Sequence, residues 1–362
     1  MVEFHGVSKI YESAQPAVAN LDLSVETGKI TVFVGPSGCG KTTSLRMINR
    51  MVEPTSGTIT VGGRDVSSIP AHELRRSMGY VMQQAGLLPH RTVIDNVATV
   101  LRLNKVPRAQ ARKRSLELLE TVGLPASMAD RYPNQLSGGQ QQRVGVARAL
   151  AADPPVLLMD EPFSAVDPVV RAELQQELLR LQRELAKTII FVTHDIDEAT
   201  IIGDKVAVFA SGGRVAQYAP PEEILRAPVD DFVANFVGRD RGFRRLSFST
   251  GESVPVHNAN AVVWDETDLN NSAINGANWV LTVDTNRRPM GWLPPGSQQS
   301  KSSLIPGGSL FHAGDPLRNA LDSALSSPSG LGVAVDADGR VRGLVKGSEV
   351  LAVIDAVREE RS

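Results

Sequence analysis

The segment from residue 35 to residue 43 reads Gly-Pro-Ser-Gly-Cys-Gly-Lys-Thr-Thr and matches the phosphate-binding pattern G-x-x-x-x-G-K-[ST]. The β-branched and aromatic residues 30–34 predict a buried strand before it, and residues 44–49 predict a helix after it. Glycines let such a loop turn its N–H groups toward phosphate oxygens, and the following helix presents its positive end to the same anion. In this pattern Lys41 reaches the β- and γ-phosphates, and the Thr42 hydroxyl binds Mg²⁺. The predicted nucleotide-binding loop consists of Gly35, Pro36, Ser37, Gly38, Cys39, Gly40, Lys41, Thr42 and Thr43.

Two acidic residues, Asp160 and Glu161, follow an unbroken apolar run over residues 156–159. Ligands of open parallel sheets gather at the carboxyl ends of the strands, so both carboxylates are expected to face the nucleotide. We expect Asp160 to help hold Mg²⁺, and Glu161 to polarise the water that attacks the γ-phosphate. The alternative is that the two acids only begin a solvated loop.

The segment Leu-Ser-Gly-Gly-Gln, which begins at Leu136, predicts the start of a helix with Ser137 as its N-cap. Because the helix dipole favours an anion at this end, the segment is a second candidate phosphate site. If two copies of the chain pair head to tail, both sites can act on one nucleotide. An ordinary capped helix is the alternative. The residues of this second site are Ser137, Gly138, Gly139 and Gln140.

Length and composition limit the class of protein. A chain of 362 residues is long enough for about two or three domains. With 40 acidic and 38 basic residues it has no basic surplus for binding nucleic acid. The single cysteine, Cys39, excludes an intrachain disulfide and is typical of a reducing compartment. No run of 18 apolar residues and no signal peptide is present, so we expect a soluble protein that reaches a membrane only through a partner.

The pattern along the chain predicts two regions joined by a linker. Residues 1–238 alternate apolar strands with helices, which favours an α/β domain with a parallel sheet. Within it, residues 84–151 predict a helical subdomain with two helix candidates. The linker, residues 239–255, carries clustered arginines that either contact anionic lipid or only face solvent. Residues 256–362 contain all three tryptophans, Trp264, Trp279 and Trp292.

An internal repeat occupies the C-terminal region. Residues 279–293 align with residues 331–345 at a roughly constant offset of 52, as the pair Asp284 and Asp336 illustrates. Each copy has two apolar arms around a centre rich in turn-forming residues, and therefore predicts strand, turn and strand.

In their order along the chain, the motifs of residues 1–238 resemble those of ATP-binding-cassette ATPases. These motifs are the phosphate loop, Leu136–Gln140, Asp160–Glu161, Ser164–Asp167 and Thr193–Asp195. The resemblance implies a P-loop α/β fold with a helical subdomain, and a homodimer that closes around two molecules of ATP and Mg²⁺.

The same resemblance implies roles for four further residues. Tyr11 matches the aromatic residue that stacks on adenine. The alternative is that Tyr11 has no role in binding and merely caps a strand. Gln83 matches the glutamine that touches Mg²⁺ and water, and the adjacent Gln84 is the alternative. His194 matches the histidine that holds the γ-phosphate, and Asp167 matches the aspartate that couples the two sites.

Residues 47–55, 86–93 and 143–155 resemble the ATPase subunits of bacterial osmoprotectant importers, which take up glycine betaine, carnitine, choline or proline betaine. Ser164 departs from the glycine usual in this group. The resemblance implies a peripheral protein at the cytoplasmic face of the membrane, with permease subunits and an external substrate-binding protein as partners and no nucleic acid. The alternatives are an importer ATPase for an amino acid, polyamine or metal, and a cassette ATPase outside transport.

The C-terminal repeat resembles a degenerate pair of cystathionine-β-synthase-type (CBS) modules in a smaller α+β domain. Such modules regulate some of these ATPases by sensing ionic strength or a nucleotide. Positions that usually contact a nucleotide hold Lys346 and Glu349 in the second copy, and Pro294 and Ser297 in the first. Nucleotide binding by the tail is therefore not expected. A tryptophan cage for a quaternary ammonium group is an alternative role.

Overall fold

The computed structural model describes residues 1–12, 15–164, 166–264, 278–297 and 301–360. Ala165, which belongs to the predicted Ser164–Asp167 motif, lies outside the described residues. The chain forms two compact units, Met1–Arg239 and Asp240–Ser362.

The first unit contains ten β-strands, β1 to β10, and ten α-helices, α1 to α10, among the residues that the structure describes. Its strands are β1 (Val2–Ile10), β2 (Pro16–Val25), β3 (Ile30–Val34), β4 (Ser56–Val61), β5 (Arg64–Asp65), β6 (Met78–Val81), β7 (Val156–Asp160), β8 (Thr188–Val192), β9 (Lys205–Ala210) and β10 (Arg214–Ala219). Its helices are α1 (Lys41–Ile48), α2 (Ala71–Arg76), α3 (Val93–Val97), α4 (Thr99–Leu103), α5 (Arg108–Thr121), α6 (Gly138–Leu150), α7 (Pro168–Leu185), α8 (Ile196–Ile202), α9 (Pro221–Arg226) and α10 (Asp231–Val237).

A six-stranded sheet in the order β10-β9-β3-β8-β7-β6 forms the centre of the first unit. Strands β9, β3, β8, β7 and β6 run parallel, and β10 pairs antiparallel with β9. Every residue of β3, β7 and β8 is buried, as expected for apolar strands covered on both faces. The parallel arrangement brings the carboxyl ends of β3, β6, β7 and β8 to one edge of the sheet, and these ends lead into the phosphate loop, Gln83, Glu161 and His194.

A second, antiparallel sheet in the order β2-β1-β4-β5 packs near the first. Phe4 of this sheet contacts Phe33 of β3, with ring centroids 6.4 Å apart. The buried side chains of α1, Leu45, Met47 and Ile48, belong to the same apolar core. The helix that follows the phosphate loop is therefore fixed between two sheets.

The block from residue 84 to residue 151 contains more helices than the sequence predicts. The sequence predicts two helices there, and the structure has four α-helices, α3 to α6. The additional helices, α3 and α4, have five residues each. A segment of that length is too short to show a helical repeat of apolar residues, so its sequence pattern does not reveal it.

The second unit contains two three-stranded sheets of the same design. Its strands are β11 (Ala261–Val263), β12 (Val280–Val283), β13 (Pro289–Leu293), β14 (Leu310–His312), β15 (Leu331–Val335) and β16 (Val341–Lys346), and its helices are α11 (Arg241–Arg245), α12 (Leu317–Ser326) and α13 (Gly347–Glu360). In each sheet a parallel pair is followed by an antiparallel hairpin. The predicted strand, turn and strand are thus confirmed for both copies of the repeat.

The two hairpins of the repeat are joined at their turns. Arg288 Nε donates to the carbonyl of Asp338, and the Val341 N–H donates to the carbonyl of Arg287.

In the segment that the sequence predicts as a linker, Val254 is buried in an apolar cluster against which Leu246 packs.

Candidate nucleotide-binding site

The loop from Gly35 to Thr43 joins the end of β3 to α1, as its sequence pattern requires. Gly35 and Gly40 have φ angles of +152° and +97°. A Cβ at Gly35 would overlap the carbonyl of Phe209, and one at Gly40 would overlap the carbonyl of Ala17. Only glycine combines this backbone conformation with such close neighbours.

Lys41 begins α1 and folds its side chain back over the loop. Its ammonium group donates to the carbonyls of Gly35 and Pro36, each at 2.8 Å. It also lies 3.6 Å from Cys39 Sγ, and burial raises the pKa of that thiol despite the nearby positive charge. The lysine is 5% exposed, so the loop holds its charge at the position where phosphate is expected.

The Asp160 carboxylate, at the end of β7, accepts three hydrogen bonds. The Thr42 hydroxyl donates to Oδ1 at 2.8 Å, whereas Arg46 Nη2 and the Tyr80 hydroxyl donate to Oδ2 at 3.3 Å and 3.2 Å. Burial, and secondarily the negative charge of Asp160, raises the pKa of Tyr80 to about 12, so this hydroxyl remains a donor at neutral pH. Thr42 and Asp160 are thus brought together as predicted from the sequence.

Glu161 follows in a left-handed conformation, with φ +47°. Its N–H donates to the carbonyl of Val192, which places it beside the end of β8. Its Oε2 lies 3.0 Å from His194 Nδ1. The side chain of His194 is 57% exposed and that of Glu161 is 21% exposed. The structure therefore places these two predicted residues in contact at an accessible edge of the sheet.

The Ser137–Gln140 segment begins α6 with a capping box. The Ser137 hydroxyl accepts from the Gln140 N–H at 3.3 Å, and Gln140 Oε1 accepts from the Ser137 N–H at 3.0 Å. The predicted N-cap is confirmed. Helix α6 packs against β6, α3 and α5.

The other predicted site residues lie on the surface. Asp167 caps α7 by accepting from the Val170 N–H at 3.1 Å. Tyr11 is 48% exposed, and Lys9 Nζ lies 5.1 Å from the centre of its ring. Gln83 is exposed in the segment that follows β6.

Helix α6 also holds the backbone around Gln83. Gln142 Nε2 donates to the carbonyl of Met82 at 3.3 Å. Arg148 donates to the carbonyls of Ala85 and Gly86, each at 2.7 Å, and burial lowers the pKa of its guanidinium. The helix that is capped by Ser137 thus also fixes the segment that carries Gln83.

Sequence reasoning missed Arg46, Tyr80 and Arg148. One signal was available for Arg46, since it lies four residues after Thr42 and therefore on the same face of α1. Tyr80 gives no such signal, because only the pairing of β6 with β7 brings it to Asp160.

Thr42 and Asp160 offer the hydroxyl and carboxylate oxygens that Mg²⁺ prefers. Throughout the described ranges, no three or more His, Cys, Asp or Glu side chains gather as a metal cage. This donor set fits an ion held jointly by one carboxylate, one hydroxyl and the oxygens of a phosphate.

Among the helices that the structure describes, none has the length and apolar character needed to cross a membrane.

Comparison with known proteins gives consistent matches. The family described as ABC transporter matches residues 18–164. The osmoprotectant import ATP-binding protein OsmV of Salmonella typhimurium is 38% identical over 378 residues, which cover 100% of this chain and 98% of that protein. The glycine betaine uptake system ATP-binding protein YehX of Escherichia coli is 52% identical, with 68% and 80% covered.

The glycine betaine/carnitine/choline transport ATP-binding protein OpuCA of Bacillus subtilis is 48% identical over 67% of this chain, but the match spans only 63% of that relative. Among solved structures, the dimeric ATP-binding cassette MJ0796 bound to ADP and Pi is 35% identical with a TM-score of 0.55, over 61% of this chain and 99% of its own. CbiO1 from Clostridium perfringens, part of the transporter complex cbiONQ, is 27% identical with a TM-score of 0.60, over 68% of this chain and 94% of its own.

Proposed function

Since this chain belongs to the ABC transporter family of ATP-binding proteins, we propose that it is the ATP-hydrolysing subunit of an importer for osmoprotectants such as glycine betaine, choline, carnitine or proline. The main support is its similarity over almost the full length of OsmV. The contacts of Thr42 with Asp160 and of Glu161 with His194 support the catalytic part of the proposal.

We propose that the N–H groups of the Gly35–Thr43 loop bind the phosphates of ATP. Lys41 would exchange its contacts with Gly35 and Pro36 for the β- and γ-phosphate oxygens. Mg²⁺, when bound, would neutralise charge on these phosphates, and Thr42, Asp160 and Gln83 would hold it. The chain thus supplies a fixed positive site for the triphosphate.

Glu161 is the proposed residue that orients and polarises the attacking water. A carboxylate next to the reacting phosphate can accept a proton from that water as the bond to phosphorus forms. His194 now contacts Glu161 through Nδ1. A neutral imidazole has only one N–H, so donation to both Glu161 and a phosphate requires a protonated ring. We propose that ATP binding releases this contact and frees both side chains.

The second half of each ATP site would come from another copy of the chain. In this scheme the Ser137–Gln140 segment of that copy presents the N-terminus of α6 to the γ-phosphate. Tyr11 would stack on adenine, and Asp167 would couple the two sites. The MJ0796 cassette, with its 35% identity to this chain, is dimeric in its solved structure, which supports the same arrangement here.

The partners and the domain roles are part of the proposal. The ATPase dimer would bind permease subunits at the cytoplasmic face of the membrane, and an external binding protein would deliver the solute. We propose the division into an ATPase domain (1–238), a linker (239–255) and a regulatory domain resembling a degenerate CBS pair (256–362). The repeated sheets of the second unit support the last assignment.

The variant Glu161→Gln tests the catalytic proposal. It keeps the size of the side chain but removes the carboxylate that polarises water, so ATP should bind and remain intact. We expect ATP hydrolysis to be lost and a stable ATP-bound dimer to be detected by size-exclusion chromatography. The control Glu173→Gln changes an exposed glutamate on α7 and should hydrolyse ATP like the wild type. Wild-type hydrolysis by Glu161→Gln would contradict the assignment.

A second candidate is an importer ATPase for another solute. The Fe(3+) ions import ATP-binding protein FbpC 1 of Rhizobium meliloti is 45% identical over 237 residues, so similarity of the ATPase unit alone does not select the cargo. Uptake of radiolabelled glycine betaine and of radiolabelled iron, compared between cells that have this gene and cells that lack it, separates the two candidates.

A further inference from the structure

The two oxygens of the Asp160 carboxylate have different partners. Oδ1 accepts only the Thr42 hydroxyl among the described contacts, whereas Oδ2 accepts from both Arg46 and Tyr80. The side chain is 6% exposed, so water does not compete strongly for these positions. A buried carboxylate with donors on both oxygens is held in one orientation.

Three elements converge on this carboxylate. Arg46 lies one helical turn after Thr42 on α1. Tyr80 pairs with Leu158 in the parallel register of β6 and β7, and Leu158 and Asp160 point to the same face of β7. The sheet and α1 therefore bring both donors to Oδ2, the oxygen that Thr42 does not contact.

On the basis of the proposed function, we propose that Arg46 and Tyr80 are positioning residues for magnesium binding. Their hydrogen bonds occupy Oδ2 and prevent the carboxylate from rotating. Oδ1 then remains directed toward the hydroxyl of Thr42, which is the other side chain expected to supply an oxygen ligand to the ion. Neither residue touches the nucleotide in this scheme, and each acts through Asp160. Partners of this kind orient metal ligands and typically change metal affinity by about 10–100-fold when removed.

The test measures magnesium and nucleotide binding separately in the full-length chain. A fluorescent ATP analogue is titrated first with EDTA and then with increasing Mg²⁺. Tyr80→Phe removes one donor and keeps both the ring and the net charge. We expect it to leave binding in EDTA unchanged and to raise the half-saturating Mg²⁺ concentration by about tenfold.

Three further variants complete the test. Arg46→Ala should raise the half-saturating Mg²⁺ concentration, and Arg46→Lys, which keeps a charged donor, should recover part of the loss. The control Tyr218→Phe removes a half-buried hydroxyl that donates to the carbonyl of Ser24 on another strand, and should bind Mg²⁺ like the wild type. Thermal unfolding of each variant identifies any loss of folded protein.

Two outcomes would overturn the inference while leaving the proposed function intact. One is wild-type Mg²⁺ dependence in both Tyr80→Phe and Arg46→Ala. The other is an equal loss of affinity with EDTA and with Mg²⁺ in Tyr80→Phe, because that result would mean that Tyr80 shapes the phosphate loop. Failure of the wild type to bind nucleotide at all would instead overturn the proposed function, and this inference with it.

Discussion

At the scale of single residues, the phosphate loop requires glycine for two separable reasons. Gly38 and Gly40 both have positive φ, at +77° and +97°. A Cβ at Gly38 would meet no heavy atom within 4 Å, whereas a Cβ at Gly40 would overlap the backbone at Ala17. The first position therefore requires glycine for backbone conformation, and the second requires it also for space.

This difference predicts unequal costs for two similar substitutions. Gly38→Ala should lower the free energy of unfolding by about 1–2 kcal/mol, the cost of a left-handed conformation with a Cβ. Gly40→Ala should lower it by more, because strand β2 must also move. Urea unfolding of both variants measures the difference. An equal loss in the two would contradict the packing argument.

At the scale of elements, α6 connects two parts of the proposed site. Its N-terminus is capped at Ser137, and its later turns hold the carbonyls of Met82, Ala85 and Gly86. A movement of α6 toward a nucleotide would therefore be transmitted to the segment that contains Gln83.

Replacing Arg148 tests this connection. Arg148→Met keeps an apolar stem and removes the charged donors to Ala85 and Gly86, so the free energy of unfolding should fall by about 1.5–3 kcal/mol. The control Arg183→Met, at an exposed position of α7, should change it by less than about 0.5 kcal/mol. Urea unfolding measures both variants. If the two lose the same free energy, the contacts of Arg148 do not stabilise the segment.

At the scale of the whole molecule, the two units have separate cores and separate spectroscopic signals. The P-loop cassette fold of mixed α/β content is confirmed by the similarity to solved cassette structures. The resemblance of the second unit to CBS modules stays a prediction. Trp264, Trp279 and Trp292 all lie in that unit, and Trp292 is only 1% exposed. Intrinsic tryptophan fluorescence therefore reports the second unit alone.

We expect this fluorescence to change with ionic strength if the second unit regulates transport. Salt screens charge interactions between exposed side chains, such as the 3.4 Å pair of Arg340 and Asp338 at a hairpin turn. Emission spectra and ATPase rates recorded from low to high salt provide the measurement. Identical spectra and identical rates across that range would indicate a structural role for the tail.

Much of the fold could be predicted from local patterns in the sequence. The strands before the phosphate loop and before Asp160, the N-cap at Ser137 and both hairpins of the repeat are confirmed. Each depends on neighbouring residues, so a short stretch of sequence contains the necessary information. The roles of the predicted site residues stay predictions. Helices α3 and α4 were missed because their short segments depend on packing within the subdomain.

The sequence by itself determined the phosphate loop, because its glycines and its lysine act through the backbone and side chains of one continuous segment. Only the tertiary structure decided that Arg46 and Tyr80 share one oxygen of Asp160, and that Arg148 holds the backbone near Gln83. These contacts join residues separated by 62 to 114 positions. Such pairings depend on strand order and helix packing, which are set by burial over the whole domain and leave no local pattern in the chain.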